Sequence, residues 1–124
     1  MLVKRLLQLN LIVSAIIALA FLIIPGPTLR LYGIASDAAP RAIAQYFGTA
    51  HLSFAILIWY ALRSHEVHCV RSIVRSFFVG DLAGTAVLLS IQLRGLMNGW
   101  GWELVGLTFL FALGWGICIL RKEP

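Results

Sequence analysis

Two side chains that can gain or lose a proton sit near the middle of long apolar runs: His51 within residues 42–62 and Asp81 within residues 73–93. A charge at the centre of a membrane helix costs roughly 2.5–3.5 kcal/mol on insertion scales, so such residues face a protein interior, water or a partner. An imidazole hydrogen-bonded to a carboxylate at that depth can relay a proton or anchor a polar head group. It can also hold the ring so that its second nitrogen ligates a cofactor. The plainer reading is a buried hydrogen bond that fixes the register of two helices.

Around Asp81, helical spacing puts Thr85, Leu88 and Gln92 on one face, so Asp81, Thr85 and Gln92 form a polar stripe. Glu103 falls in the first turn of the last apolar run, where the helix dipole and interfacial water tolerate a carboxylate. These five residues, His51, Asp81, Thr85, Gln92 and Glu103, are the candidates for binding a ligand or a proton. His51 is the one histidine within the apolar runs and can supply a single axial bond to a haem or chlorophyll-type ring. Whether there is a cofactor stays open. The stretch His65-Glu66-Val67-His68-Cys69 is not HExxH and does not complete a four-ligand set, so it reads as a solvated loop and no metal site is expected. No GxSxG elbow, Walker loop, dinucleotide fingerprint or pair of catalytic carboxylates occurs, and no catalytic residue is assigned.

The elements that must carry these groups follow from composition. The chain of 124 residues is 60% apolar and 12% charged, with a mean hydropathy of +0.92. Soluble domains hold about 25% charged residues. Apolar runs over 6–24, 42–62, 73–93 and 102–120 each approach the ~20 residues a helix needs to cross a bilayer. The predicted fold is all-α: an integral-membrane four-helix up-down bundle forming one transmembrane domain over residues 1–124. Membrane lipids, other membrane subunits or a second copy are the expected partners. The net charge of +5 lies in no basic stripe with interleaved aromatics, so nucleic acid is not expected. With alternating helices, Lys4, Arg5, Arg63, Arg71, Arg75, Arg121 and Lys122 fall on one side and Arg30, Arg41 and Arg94 on the other. The positive-inside rule then places both termini in the cytoplasm, with the chain in a bacterial inner membrane. Cys69 and Cys118 lie towards the reducing side, where a structural disulfide is not expected. Lys4-Arg5 and Ala18-Leu19-Ala20 resemble parts of a signal peptide, but the apolar run continues to Ile24, so a retained first helix is expected.

Pro25-Gly26-Pro27 ends the first helix, whose Gln8, Asn10 and Ser14 add only mild polarity, with Ser14 able to bond back to its own helix. Residues 28–36 read as an interfacial half-turn with Tyr32 in the aromatic belt, and Asp37 precedes the second helix. The short connection 63–72 makes helices two and three antiparallel neighbours. Asp81 is then level with Phe54, about one turn from His51, so the two side chains are expected to meet. Gly48, the Gly80/Gly84 pair, Gly106 and Gly114 are expected to let helices approach closely. Arg71 and Arg75 can hold anionic lipid head groups, or simply orient the helix and snorkel.

The order of features resembles a group of small bacterial four-helix membrane proteins, loosely DoxX-like. The resemblance lies in the proline closing helix one followed by Leu31-Tyr32-Gly33-Ile34, in Arg41 and Phe47-Gly48-Thr49-Ala50, and in Gly95-Leu96-Met97-Asn98 leading to Gly101-Trp102. It implies an accessory role in a membrane redox complex near quinone chemistry, and carries no functional residues with it. Three functions follow. The first is a small accessory or structural subunit of a larger membrane complex. The second is a proton-coupled small-molecule transporter using Asp81 and His51, and the third a quinone- or lipid-binding membrane protein or enzyme.

Overall fold

The computed structural model describes residues 1–121, so Lys122, counted above among the charges of one side, lies outside the described residues. The chain forms α1 (Leu2–Ile23), α2 (Pro25–Leu31), α3 (Ala38–Arg63), α4 (Val67–Leu93) and α5 (Gly101–Leu120), with no strand among the described residues. Four of these, α1, α3, α4 and α5, are long and apolar enough to cross a membrane. The protein is an all-α up-down bundle.

Local chemistry sets the ends of these helices. Pro25 has no N–H to donate and turns Ile24 out of the helical region, at φ −126° and ψ 54°, which ends α1 and starts α2 with proline in its first turn. Thr28 then takes up carbonyls at the break: its hydroxyl donates to Ala20 O at 3.0 Å and to Ile24 O at 2.8 Å. Two helices stop in the same way. Gly33, at φ +74°, closes α2, with Ile34 N–H donating to Leu29 O and Gly33 N–H to Arg30 O. Gly95, at φ +69°, closes α4, with Leu96 N–H donating to Ile91 O and Gly95 N–H to Gln92 O. Both are Schellman turns, whose left-handed residue suits glycine because it has no Cβ to clash.

These two turns dock on each other through Asn98. Its N–H donates to Tyr32 O at 3.0 Å, its Nδ2 donates to Leu31 O at 2.8 Å, and its Oδ1 accepts from Trp100 N–H at 3.0 Å. A Cβ on Gly33 would sit 3.1 Å from the Asn98 Cβ, so a side chain there would press Asn98 back by a few tenths of an ångström in addition to straining the left-handed backbone. Asn98→Ala removes the two side-chain bonds of this exposed clamp. It should lower stability against denaturant in detergent micelles by about 1–2 kcal/mol. Burial pushes the Tyr32 phenol above its ordinary pKa, and the Glu103 carboxylate adds to that shift.

Helix partners differ from the expectation of neighbouring helices two and three. The connection shortens to residues 64–66, but beyond it α3 and α4 touch little; α3 packs along α1, and α4 along α5. The small face of α3 decides the first pairing. Ala44, Gly48 and Ala55 are buried, and a Cβ on Gly48 would sit 3.0 Å from Leu22 N and 3.2 Å from Ala18 O of α1, a backbone-to-backbone approach. Polar side chains tie the second: Trp115 Nε1 of α5 donates to Asp81 Oδ2 of α4 at 2.9 Å, and Thr85 Oγ1 donates to Thr108 Oγ1 at 3.1 Å.

The two pairs meet at the end holding both termini, around Val3, Leu7, Ile58, Val74, Trp115 and Cys118. There the Leu6 side chain lies 3.0 Å from where a Cβ on Gly114 would sit. A smaller core of Phe21, Leu29, Tyr32 and Ala44 forms at the opposite end, with Met97 and Leu104 against it. Between these two cores the pairs stand apart.

Candidate functional site

The gap between the pairs is a cavity of about 510 Å³, walled by all four long helices. Its floor is formed by α1 and α5, where Asn10 and Ser14 are 7% and 4% exposed and Thr108 is half-buried. Its mouth is the parted seam between α3 and α4, where lining residues Phe47 and Val87 are 44% and 59% exposed. The cavity is therefore a cleft that opens on the side of the bundle rather than at either end.

Most of the lining is apolar, and its polar groups are Asn10, Ser14, His51, Ser76, Asp81 and Thr108. Size and character match small-molecule sites, which run to about 300–1,000 Å³ with a few polar groups among apolar walls. Several of these groups are already engaged. Ser14 Oγ donates to Asn10 Oδ1 at 2.9 Å, one turn along α1. Thr108 donates to backbone carbonyls of its own helix, Leu104 O at 3.0 Å and Val105 O at 3.1 Å.

His51 and Asp81 both line the cavity, on facing helices, but they share no hydrogen bond or ion pair. The expected meeting fails because the seam between α3 and α4 is parted at their level. Instead His51 Nδ1 lies 3.3 Å from Phe47 O, one turn back, which sets Nδ1 as the donor and leaves Nε2 without a partner among the described residues. Asp81 Oδ2 accepts the Trp115 indole N–H, and Oδ1 has no partner among the described residues. Two hydrogen-bonding atoms, an acceptor nitrogen and a carboxyl oxygen, are therefore open for a ligand.

Aromatic rings link the two walls. Phe47 and His51 have centroids 4.3 Å apart and His51 and Phe54 5.7 Å, along α3. Phe54 meets Phe77 of α4 edge-on at 6.0 Å, and Phe77 stacks on Trp115 at 5.8 Å. The Phe54–Phe77 pair bridges the seam nearer the end with the termini. Beyond it, at the level of His51, Asp81 and Gly84, the seam is open.

The remaining candidates are placed elsewhere. Thr85 bonds Asp81 O at 2.7 Å and Thr108, so it serves the α4/α5 pairing. Gln92 lies past the cavity, with Nε2 donating to Asn98 O at 3.0 Å and Oε1 buried without a partner among the described residues. The Oε1 abuts Gly101, where no side chain fits. Glu103 lies in the first turn of α5 and lines a separate groove with Thr28 and Tyr32. Arg71 and Arg75 are exposed in the early turns of α4, at the end that carries the termini. Of the glycines, Gly48 and Gly114 take close contacts, whereas Gly80, Gly84 and Gly106 meet nothing within 4 Å among the described residues. Gly80 and Gly84 line the cavity instead.

Four participants escaped the sequence reading. Asn10 and Ser14 read as mild polarity, yet they pair at i and i+4 on the buried face and form the cavity floor. Ser76 lines the wall beside Phe77. Trp115 had a usable signal: Trp59, Trp100 and Trp102 lie near helix ends, but Trp115 lies well inside the last run, where its indole N–H requires an acceptor. Compared with known proteins, the chain matches no family model, no curated protein and no solved structure.

Proposed function

We propose that this small multi-pass membrane protein binds a lipid-soluble molecule with a polar head in the cleft between α3 and α4. The observation that carries the reading is the cavity of about 510 Å³ at mid-span, open along that seam, with His51 Nε2 and Asp81 Oδ1 unengaged on facing walls. Groups that can hydrogen-bond at mid-membrane cost free energy unless something satisfies them, so a head group that bonds them gains what the empty site lacks. A tail leaves through the mouth into the acyl chains without crossing a polar layer. The charges agree with the orientation read from sequence: Lys4, Arg5, Arg63, Arg71, Arg75 and Arg121 lie at the end with the termini, and Arg30, Arg41 and Arg94 at the other. This supports a cytoplasmic location for both termini, in a bacterial inner membrane.

A long-chain alcohol bearing a photoreactive group tests the reading in lipid nanodiscs. Saturable labelling of α3 near His51 and of α4 near Asp81 is expected. Unsaturable labelling spread evenly over the lipid-facing surface would end the proposal.

An accessory subunit is a second reading, supported by the bare Gly80, Gly84 and Gly106, which leave room for another helix. It requires a co-purifying polypeptide in mild detergent, and extraction of the protein alone from its native membrane would remove it.

A further inference from the structure

Asp81 is a carboxylic acid at mid-span for which the described residues supply no counter-ion. Its one side-chain partner among the described residues is the neutral Trp115 indole, and no lysine or arginine lines the cavity. The titratable groups facing the cavity are His51 from α3 and Asp81 from α4; α1 and α5 contribute only Asn10, Ser14 and Thr108 as polar groups. A carboxylate in low dielectric is neutralised either by a proton or by a cation brought to it. An anion entering this cleft finds no lysine or arginine to meet it, and it gains nothing from ionisation of Asp81. A cation finds the open Asp81 Oδ1 and, lining the same cavity, the aromatic rings of Phe47, Phe54 and Phe77, whose π-systems attract positive charge most strongly where water is excluded.

We propose that the cleft binds a lipophilic organic cation, which replaces the proton on Asp81 as its counter-charge. The inference rests on the lipid-soluble-ligand reading above and narrows that ligand to one charge type. One proton leaves the Asp81 carboxyl for solvent as one cation enters, so the charge in the cleft is conserved. Affinity then falls as pH drops and the proton competes. Protonation of His51 across the cavity works in the same direction by adding a like charge.

The test uses two ions of nearly the same size and shape, tetraphenylphosphonium and tetraphenylborate, with the full chain in nanodiscs and empty nanodiscs subtracted. Tetraphenylphosphonium should bind saturably and tetraphenylborate should not. Where Asp81 is protonated, affinity for the cation should fall about tenfold per pH unit, with one proton released per cation bound. Asp81→Asn keeps an acceptor for Trp115 and should weaken the cation at least about tenfold. Equal binding of the two ions, absence of proton release at a pH where Asp81 is protonated, or undiminished cation binding by Asp81→Asn would each overturn the cation assignment. If the alcohol labels the cleft but the cation does not bind, the cation assignment fails and the ligand-binding reading stands. If neither binds, both fail.

Discussion

Gly84→Phe should leave the bundle folded and block the cleft. A Cβ at Gly84 meets nothing within 4 Å among the described residues, so the fold does not depend on a bare backbone there. Because Gly84 lines the cavity opposite His51, a benzyl group at that position takes up space that a ligand would use. Saturable labelling by the photoreactive alcohol should drop about tenfold or more, with unfolding in detergent shifted by less than about 0.5 kcal/mol. Gly48 is the internal control. It has the same residue type at mid-span, but its neighbours are Leu22 N and Ala18 O, so even a small side chain there must push α1 and α3 apart. If Gly84→Phe instead dissociates an assembly without touching ligand binding, the accessory-subunit reading gains what the cleft loses.

Trp115→Ala should be the most destabilising single change between α4 and α5. Trp115 is 0% exposed, stacks on Phe77 and Phe111 at 5.8 and 6.3 Å, and donates to Asp81. In soluble cores, truncating a buried Trp or Phe to Ala costs about 3–5 kcal/mol. In a bilayer the transfer part shrinks, because acyl chains are as apolar as the core, and the lost packing contacts remain. A loss of about 3 kcal/mol is therefore expected, read from reversible unfolding in mixed micelles. Trp115→Phe separates the two contributions: the ring stacking stays, the hydrogen bond goes, and about 1 kcal/mol should be lost. Equal losses for the two variants would mean that the indole N–H, not the packing, holds α4 to α5.

The four spans were legible because bilayer thickness fixes the length of an apolar run, and chain polarity changes sharply at Arg63 and Arg94. Helix ends were less so. Pro25 marked the break, but Thr28, which satisfies the carbonyls there, looks like any loop threonine. Which helix packs against which was not legible. A short connection makes two helices antiparallel, but which faces pack is decided elsewhere, by the Gly48 contact with α1 and the Asp81–Trp115 bond with α5. That is why His51 and Asp81 were placed at the right depth but not at the right distance. The glycines show the same limit. Gly80 and Gly84 have the spacing of a packing motif, but here they line a cavity. Asn98 reads as a turn residue; its tie to Leu31 and Tyr32 depends on two Schellman turns meeting in space.

The central claim is that the seam between α3 and α4 is open at the level of His51 and Asp81 and admits a lipid-soluble molecule. Intermolecular nuclear Overhauser effects settle it most directly, with protonated phenylalanine, histidine, glycine and leucine residues on an otherwise deuterated chain, in nanodiscs of deuterated lipid, and a protonated amphiphile added. The account expects cross-peaks from the amphiphile to Phe47, His51, Phe54 and Phe77 that saturate with concentration and disappear in Gly84→Phe. Direct cross-peaks from the His51 ring to Gly84 and Leu88, with none to the amphiphile, would show a closed seam and contradict it.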